Sequence, residues 1–363
     1  MKYFLILVGV LVMAFSIKSF FAADKTDAVK FENTDIQYQS GFSDIWNIAK
    51  SYMTTKRLHP APVVEVPVQP ITATSLSFSN EDQLFRLGHS TILIRLDGDY
   101  ILLDPVFSQR ASPVQWAGPK RFHQSPISIE QLPPIKAVII SHDHYDHLDK
   151  SAITELSDKV EHFVTPEKVG DYLIEWGVEP SKVSQLSWWQ ELTIGELTLA
   201  ATPAQHFSGR GLRDRDTTLW ASWVIKGTNS NLFFSGDGGY FSGFKEIGER
   251  YGPFDITMIE TGAYNEMWSQ IHMMPEQSLQ AHIDLNGSEF ESSVLMPIHN
   301  GTFDLALHDW FEPLEWISDL GEQANVSVIT PVFGEPVNVA SPQKTQAWWR
   351  EMLSNDEWIL QSQ

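Results

Sequence analysis

Residues 141–147 read Ser-His-Asp-His-Tyr-Asp-His, which places three imidazoles and two carboxylates within the six residues from His142 to His147. Neutral imidazole and carboxylate are ligand types that suit zinc and related divalent ions. The chain has no cysteine, so thiolate ligands and disulfides are both excluded. Directly before the motif, Ala137-Val138-Ile139-Ile140 is apolar and β-branched and reads as a buried strand. If the backbone stays extended at that strand's end, His142 and His144 share one face by the period of two. A turn or helix starting there would swing Asp146 and His147 toward a second ion. Histidine clusters also occur as solvated loop chemistry, but this density and order after a buried-type strand argue for two adjoining metal half-sites.

Two ions need about seven protein ligands, so the motif requires partners farther along the chain. Three candidates stand just beyond apolar strands: His206 after Leu197–Ala201, Asp237 after Asn231–Ser235, and His299 after Val294–Pro297. Each alone is an ordinary loop residue; their joint occurrence beyond buried-type strands is the signal. Asp237 also lies among Gly236, Gly238 and Gly239, which permit close backbone approach. The elements that would position these groups alternate in type. Leu84–Leu87, Thr91–Leu96 and Tyr100–Leu103 read as strands, with Asp97-Gly98-Asp99 as a hairpin turn between the last two. Lys136–Ile140, Ser222–Lys226 and Ile256–Glu260 add further strands. Helices are expected from Pro275 to Asp284 and from Trp310 to Leu320, followed by a strand Val326–Ile329. Residues 107–134 form a long loop rich in Pro, Gly and Ser, a length usually tied to function. Trp348, Trp349 and Trp358 read as packing residues. The alternation predicts a single α/β unit over residues 81–363. The local pattern does not separate a doubly wound sheet from two sheets flanked by helices.

With 363 residues and 42% hydrophobic content, the chain can bury a large core. A formal charge of −21 disfavours a nucleic-acid surface, because phosphate-backbone binding rests on basic stripes. At the N-terminus, Lys2 precedes an apolar run from Tyr3 to Ile17, followed by Lys18-Ser19-Phe20-Phe21-Ala22-Ala23. Residues 1–23 therefore read as a signal peptide or, if Lys18 snorkels, as an uncleaved membrane anchor over residues 3–23. Either reading predicts an exported, periplasmic or extracytoplasmic protein. Residues 24–80 read as a lead-in. Phe42, Ile45, Trp46, Ala49 and Met53 recur at helical spacing, and Pro60, Pro62, Pro67 and Pro70 then impose an extended run. The apolar stripe of that helix would pack on the domain or meet membrane lipid.

The order His142-x-His144-x-Asp146-His147, then His206, Asp237 and His299, resembles the metallo-β-lactamase superfamily over residues 84–335. Leu87-Gly88-His89-Ser90-Thr91, the stretch Asp104–Pro113, Gly118–Phe122, Leu219–Trp223 and His299-Asn300-Gly301-Thr302-Phe303 resemble the N-acyl-phosphatidylethanolamine-hydrolysing phospholipase D group. Asn300 departs from the tryptophan usual in that group. Asp143 replaces an asparagine common in its animal members. The resemblance implies a four-layer αβ/βα sandwich with two zinc ions on one edge. His142, His144 and His206 would hold one ion, Asp146, His147 and His299 the other, and Asp237 would bridge them. A bridging hydroxide would be the nucleophile, with Asp146 available to orient it. Tyr145 and His272 match positions that contact substrate in the group. His272 would bind the phosphate or protonate the leaving oxygen.

Arg110, Lys120, Arg121, Arg210, Arg213 and Arg215 are local cations that suit a phosphodiester or anionic headgroup, or else pair with the abundant surface acids. Val106, Phe107, Val114, Trp116, Phe122 and Phe207 would line an acyl-chain groove or pack as core. The expected function is a zinc-dependent phosphodiesterase acting on an N-acylated or related phospholipid, in contact with a membrane surface. The alternatives are a lactone or β-lactam hydrolase on the same ions, a small-molecule ester substrate, and a membrane-associated scaffold without turnover. All seven ligand positions are filled, which counts against the scaffold.

Overall fold

A computed structural model describes residues 30–38, 42–77, 81–211 and 213–361. The signal or anchor reading of residues 1–23 lies outside them. Two seven-stranded sheets carry the architecture. The first contains β1 (Gln83–Arg86), β2 (Ile92–Leu96), β3 (Asp99–Leu103), β4 (Ile135–Ile139), β5 (Val160–Pro166), β6 (Val183–Leu186) and β14 (Pro336–Asn338), in the order β14-β1-β2-β3-β4-β5-β6. The second holds β7 (Glu191–Ile194), β8 (Leu197–Thr202), β9 (Ser222–Lys226), β10 (Asn231–Phe234), β11 (Ile256–Glu260), β12 (Val294–Ile298) and β13 (Ser327–Val328), ordered β13-β12-β11-β10-β9-β8-β7. Each sheet mixes antiparallel hairpins with parallel crossover pairs such as β3–β4 and β11–β12.

The strands are apolar on both faces because each sheet is covered on both. Alternate residues go to different layers. In β2, Ile92, Ile94 and Leu96 enter the core between the sheets, whereas Leu93 joins the core under the helices α3 (Lys150–Leu156) and α4 (Val169–Glu175). In β10, Leu232 and Phe234 face the first sheet. Phe233 packs with Phe244 of α5 (Gly243–Tyr251), Leu285 of α6 (Pro275–Asn286) and Ile317 of α7 (Glu312–Ala324). Helix, sheet, sheet, helix is the αβ/βα sandwich. The helix expected at Trp310–Leu320 begins later and runs longer. Pro313 sits in its first turn, and Asn325 ends it in the left-handed region at φ 57°.

The lead-in segment lies on the domain. α1 (Phe42–Thr54) is followed by a chain running past Asp309 to Phe333 and, after Thr72, by the short α2 (Ala73–Ser77). Of the apolar stripe expected on α1, Trp46 and Met53 are 59% and 54% exposed, and the side chains of Phe42, Ile45 and Ala49 lie outside the described residues. Ile48 and Tyr52 pack instead, because the Tyr52 ring stacks on Trp268 and its hydroxyl donates to Leu305 O at 2.9 Å. Trp348 and Trp349, at the start of α8 (Trp348–Gln361), are buried against Trp310 and Phe333. The side chain of Trp358 lies outside the described residues.

Candidate metal centre

Parallel and antiparallel pairing bring the ends of β1, β3, β4, β8, β10, β11 and β12 to one edge of the sandwich, and every candidate ligand follows one of them. Helix α3 starts immediately after the histidine motif. Asp149 caps it through Ser151 N (3.0 Å) and also accepts from Phe107 N and Ser108 N of the long loop. The seven residues named from sequence are brought together here. His142 Nε2 and His144 Nδ1 are 2.9 Å apart, and His206 Nε2 lies 3.3 Å from His144 Nδ1. Asp146, His147 and His299 form a second group, with His299 Nε2 3.2 Å and His147 Nε2 3.6 Å from Asp146 Oδ2. Asp237 touches both groups: Oδ1 is 3.0 Å from His147 Nε2, and Oδ2 is 2.9 Å from His299 Nε2 and 3.9 Å from both His142 and His206.

This donor set fits divalent metal. His147 Nε2 and Asp237 Oδ1 are buried and close, yet neither makes a hydrogen bond among the described residues. Three outer ring nitrogens are spoken for. His147 Nδ1 meets Asp104 Oδ2 at 2.6 Å, His142 Nδ1 meets Ser141 Oγ at 2.9 Å, and His206 Nδ1 donates to Ile271 O at 3.0 Å. A histidine oriented through its outer nitrogen presents the inner one to an ion. Nitrogen and oxygen donors without sulfur suit zinc and its neighbours.

The glycine before Asp237 is required by geometry. Gly236 has φ 57°, and a Cβ there would lie 2.6 Å from that of Ser141. His299 also adopts a left-handed backbone, at φ 64°. Its loop is pinned by Asn300, the departure from the group's tryptophan. Buried Arg86 donates Nη2 to Asn300 O and Oδ1 at 2.5 and 2.7 Å, while Asn300 Nδ2 donates to Ile298 O and Thr261 O.

Burial, then the neighbouring imidazoles, push His142 and His206 well below the ordinary histidine range. Burial lowers His144 as well. His147 and His299 respond differently. Burial opposes their charge, but Asp237 and Asp146 overcome it, pushing His147 well up and His299 to about 10. The carboxylates thus favour the protonated form of these two rings. Their charge therefore supports the metal-free fold below pH 6.5, and the His299 share is lost as pH rises through about 10. Ligation requires the neutral ring, so metal affinity is expected to rise by about tenfold per pH unit for each proton displaced. Competition with a chelator of known proton linkage at pH 6 and 8 measures this; an affinity constant across that range contradicts it.

His272 sits beside the cluster, its ring centroid 5.2 Å from that of His206 and 5.5 Å from that of His299. Its Nδ1 pairs closely with Glu260 Oε1. Tyr145 is half-buried. Its hydroxyl donates to Arg210 O at 2.9 Å, and the Arg210 guanidinium covers its ring at 4.0 Å. Of the expected cations, Arg121 is buried, Arg210 is bonded to Leu148 O, and Arg110 and Lys120 form an isolated bridge in the long loop. Phe207 packs against His144 and His206, Val106 is core, and Trp116 is 75% exposed.

Three further residues complete the centre. Asp104 joins Ser141 N, Ser141 Oγ and His147. His89 Nε2 lies 3.2 Å from Asp146 Oδ2. Glu260, fully buried, accepts from Gly238 N at 2.7 Å as well as facing His272. Glu260 ends an apolar strand with a charge, the same signal that exposes Asp237 and His299. His89 and Asp104 lie within motif stretches but carry no separate mark in the sequence.

A sandwich of two sheets with a buried His/Asp cluster on one edge defines a metallo-hydrolase of the β-lactamase class. The chain belongs to that superfamily: a family described as a beta-lactamase superfamily domain matches residues 99–300. Among its relatives is an uncharacterized Mycobacterium tuberculosis protein, 40% identical over 84% of this chain and 80% of its own. Another is an N-acyl-phosphatidylethanolamine-hydrolyzing phospholipase D of Caenorhabditis elegans, 34% identical over 74% of this chain and 79% of its own. Among solved structures, an isothiocyanate hydrolase from Delia radicum gut bacteria has the same fold. It superposes with a TM-score of 0.56 at 20% identity, over 70% of this chain and 98% of that one. The protein is a metal-dependent hydrolase of the metallo-β-lactamase superfamily.

Proposed function

We propose that the protein is a zinc-dependent phosphodiesterase that hydrolyses N-acyl-phosphatidylethanolamine or a closely related phospholipid between phosphorus and the headgroup oxygen. The observation that carries this reading is Asp237, one buried carboxylate reaching both histidine groups at once. That arrangement supports two ions side by side. His142, His144 and His206 would hold one; Asp146, His147 and His299 the other. Such a pair lowers the pKa of bound water and neutralises charge building on a phosphoryl group. The similarity to the C. elegans phospholipase D supports phosphorus over carbonyl carbon as the target.

The chain's own groups would do the rest. Glu260 holds His272 through Nδ1, which leaves Nε2 for the substrate. From there it would contact a phosphoryl oxygen or hand a proton to the departing headgroup oxygen. His89 and His299 both lie against Asp146 Oδ2 and keep that carboxylate in place. Tyr145 would contact substrate through its ring edge, since its hydroxyl is engaged by Arg210. His272→Ala is expected to lower turnover by about 10²-fold while metal content stays at the wild-type value. Elemental analysis beside a turnover assay checks both, and lost metal would make His272 a ligand instead.

A lipid substrate requires access to a bilayer. The outward Trp46 and Met53 of α1 would rest on lipid, with residues 3–23 exporting the chain or holding it at an extracytoplasmic membrane face. Among the described residues no helix is long and apolar enough to cross a membrane. Purified zinc-loaded protein should turn over N-acyl-phosphatidylethanolamine faster than phosphatidylcholine, a homoserine lactone or a β-lactam. Opening of only the lactone or lactam would replace this reading with a carbonyl hydrolase.

A further inference from the structure

The ligand His206 stands on a loop beyond β8, without a strand neighbour for its backbone. Buried N–H and C=O groups left unpaired are costly, so both need partners. One side chain supplies them. Asn33, from the lead-in and far ahead of the family domain, donates Nδ2 to His206 O at 2.8 Å. Its Oδ1 accepts from His206 N at 3.0 Å and from Trp220 Nε1 at 3.0 Å. Asn33 is itself buried. Its amide thus acts as a one-residue strand laid along the ligand's backbone. The imidazole is fixed independently by Ile271 O.

The segment around Asn33 is tied down along its length. Phe31 N donates to Asp216 O at 2.8 Å, and Lys168 Nζ lies 5.5 Å over the Phe31 ring. Gln205 Nε2 donates to Ile36 O, Ser242 Oγ donates to Asp35 Oδ2 at 2.9 Å, and Arg215 Nη2 donates to Tyr38 O at 3.2 Å. Residues 30–38 therefore form a strap across the loop that carries His206. Ligand distances tolerate shifts of only about 0.2 Å, so freeing this backbone should loosen the His142–His144–His206 half of the centre.

We infer that Asn33 is a positioning residue for His206, which makes the strap a working part of the metal centre rather than a leader to it. The inference rests on the metal-centre reading. The test uses the full chain loaded with Zn²⁺ or Co²⁺, and follows metal loss to a chelator, the cobalt absorption bands, and kcat and KM separately. Asn33→Ala should release one of two ions about 10- to 100-fold faster than wild type, change the cobalt bands, and lower kcat with little change in KM. Asn33→Asp keeps both acceptor bonds but sets a carboxylate oxygen against His206 O, where the amide donated at 2.8 Å, so its losses should equal or exceed those of Asn33→Ala. It also carries the test if the alanine variant does not fold. Asp35→Ala loosens the strap at Ser242 without touching His206, and should stay within about twofold of wild type on the same readouts. Wild-type metal retention and spectrum in Asn33→Ala would overturn the inference. So would equal losses in Asp35→Ala and Asn33→Ala, which would assign the effect to strap packing in general. A wild-type protein that binds no metal would instead overturn the metal-centre reading itself.

Discussion

Asp237→Ala is expected to lower turnover by about 10³-fold or more and to leave fewer than two metal equivalents bound per chain. The change removes the one carboxylate among the described residues that reaches both groups: His147 and His299 through close approaches, His142 and His206 at 3.9 Å. Loss of a Lewis-acidic ion forfeits several kcal/mol of transition-state stabilisation, and each 1.36 kcal/mol is about tenfold in rate. The substitution also removes the charge that, with Asp146, favours the protonated form of His299 and His147. Neighbouring Glu260 does not replace it, because its two oxygens are engaged by Gly238 N and His272. Metal analysis and steady-state kinetics on one preparation check both halves. Near-wild-type turnover with two ions retained would show that the bridge lies elsewhere.

The second large effect is on stability. Asp104→Ala is expected to cost about 3–5 kcal/mol, the usual penalty for removing one member of a buried charged pair. Asp104 is fully buried and carries Ser141 N, Ser141 Oγ and His147 Nδ1 on one carboxylate, at 2.6–2.7 Å. Burial pushes its carboxyl up, while His147 and Ser141 draw it back. Removing it leaves a buried imidazole and a backbone N–H with no acceptor at the end of β4. A loss of that size is a large share of a domain's total stability of about 5–15 kcal/mol. Denaturant unfolding of the metal-free protein measures it directly. A change below about 1 kcal/mol would mean that Ser141 and His147 find other partners.

Much of this was legible from residue order. The strands Ser222–Lys226 and Ile256–Glu260 coincide with β9 and β11, because apolar β-branched runs bounded by polar turns leave little choice. The hairpin turn at Asp97-Gly98 has both residues at positive φ, as its composition requires. The sandwich followed only once family resemblance was added, since β5 pairs with β4 and β6 with β5 across long sequence gaps that no local pattern specifies. The supporting groups were less visible. Asn33 serves His206 from 173 positions away, and nothing near it in sequence marks a buried amide. On α1, helical spacing did not show which apolar residues would pack. Tyr52 ranks as amphipathic by type, yet its ring has Trp268 and its hydroxyl has Leu305 O, so it buries while Trp46 does not. Arg121 read as a cation for an anionic headgroup or for the surface acids. The fold buries it, with Nη1 donating to Phe107 O, and burial lowers its pKa to about 10.

In the proposed reaction, water attacks phosphorus of a phospholipid. This attack is tested most directly by running the zinc-loaded protein on N-acyl-phosphatidylethanolamine in ¹⁸O-water and locating the label by mass spectrometry. One ¹⁸O is expected in the phosphoryl group of phosphatidate and none in the released N-acylethanolamine. Label in the alcohol, or opening of a lactone or β-lactam with no phosphatidate formed, would contradict it.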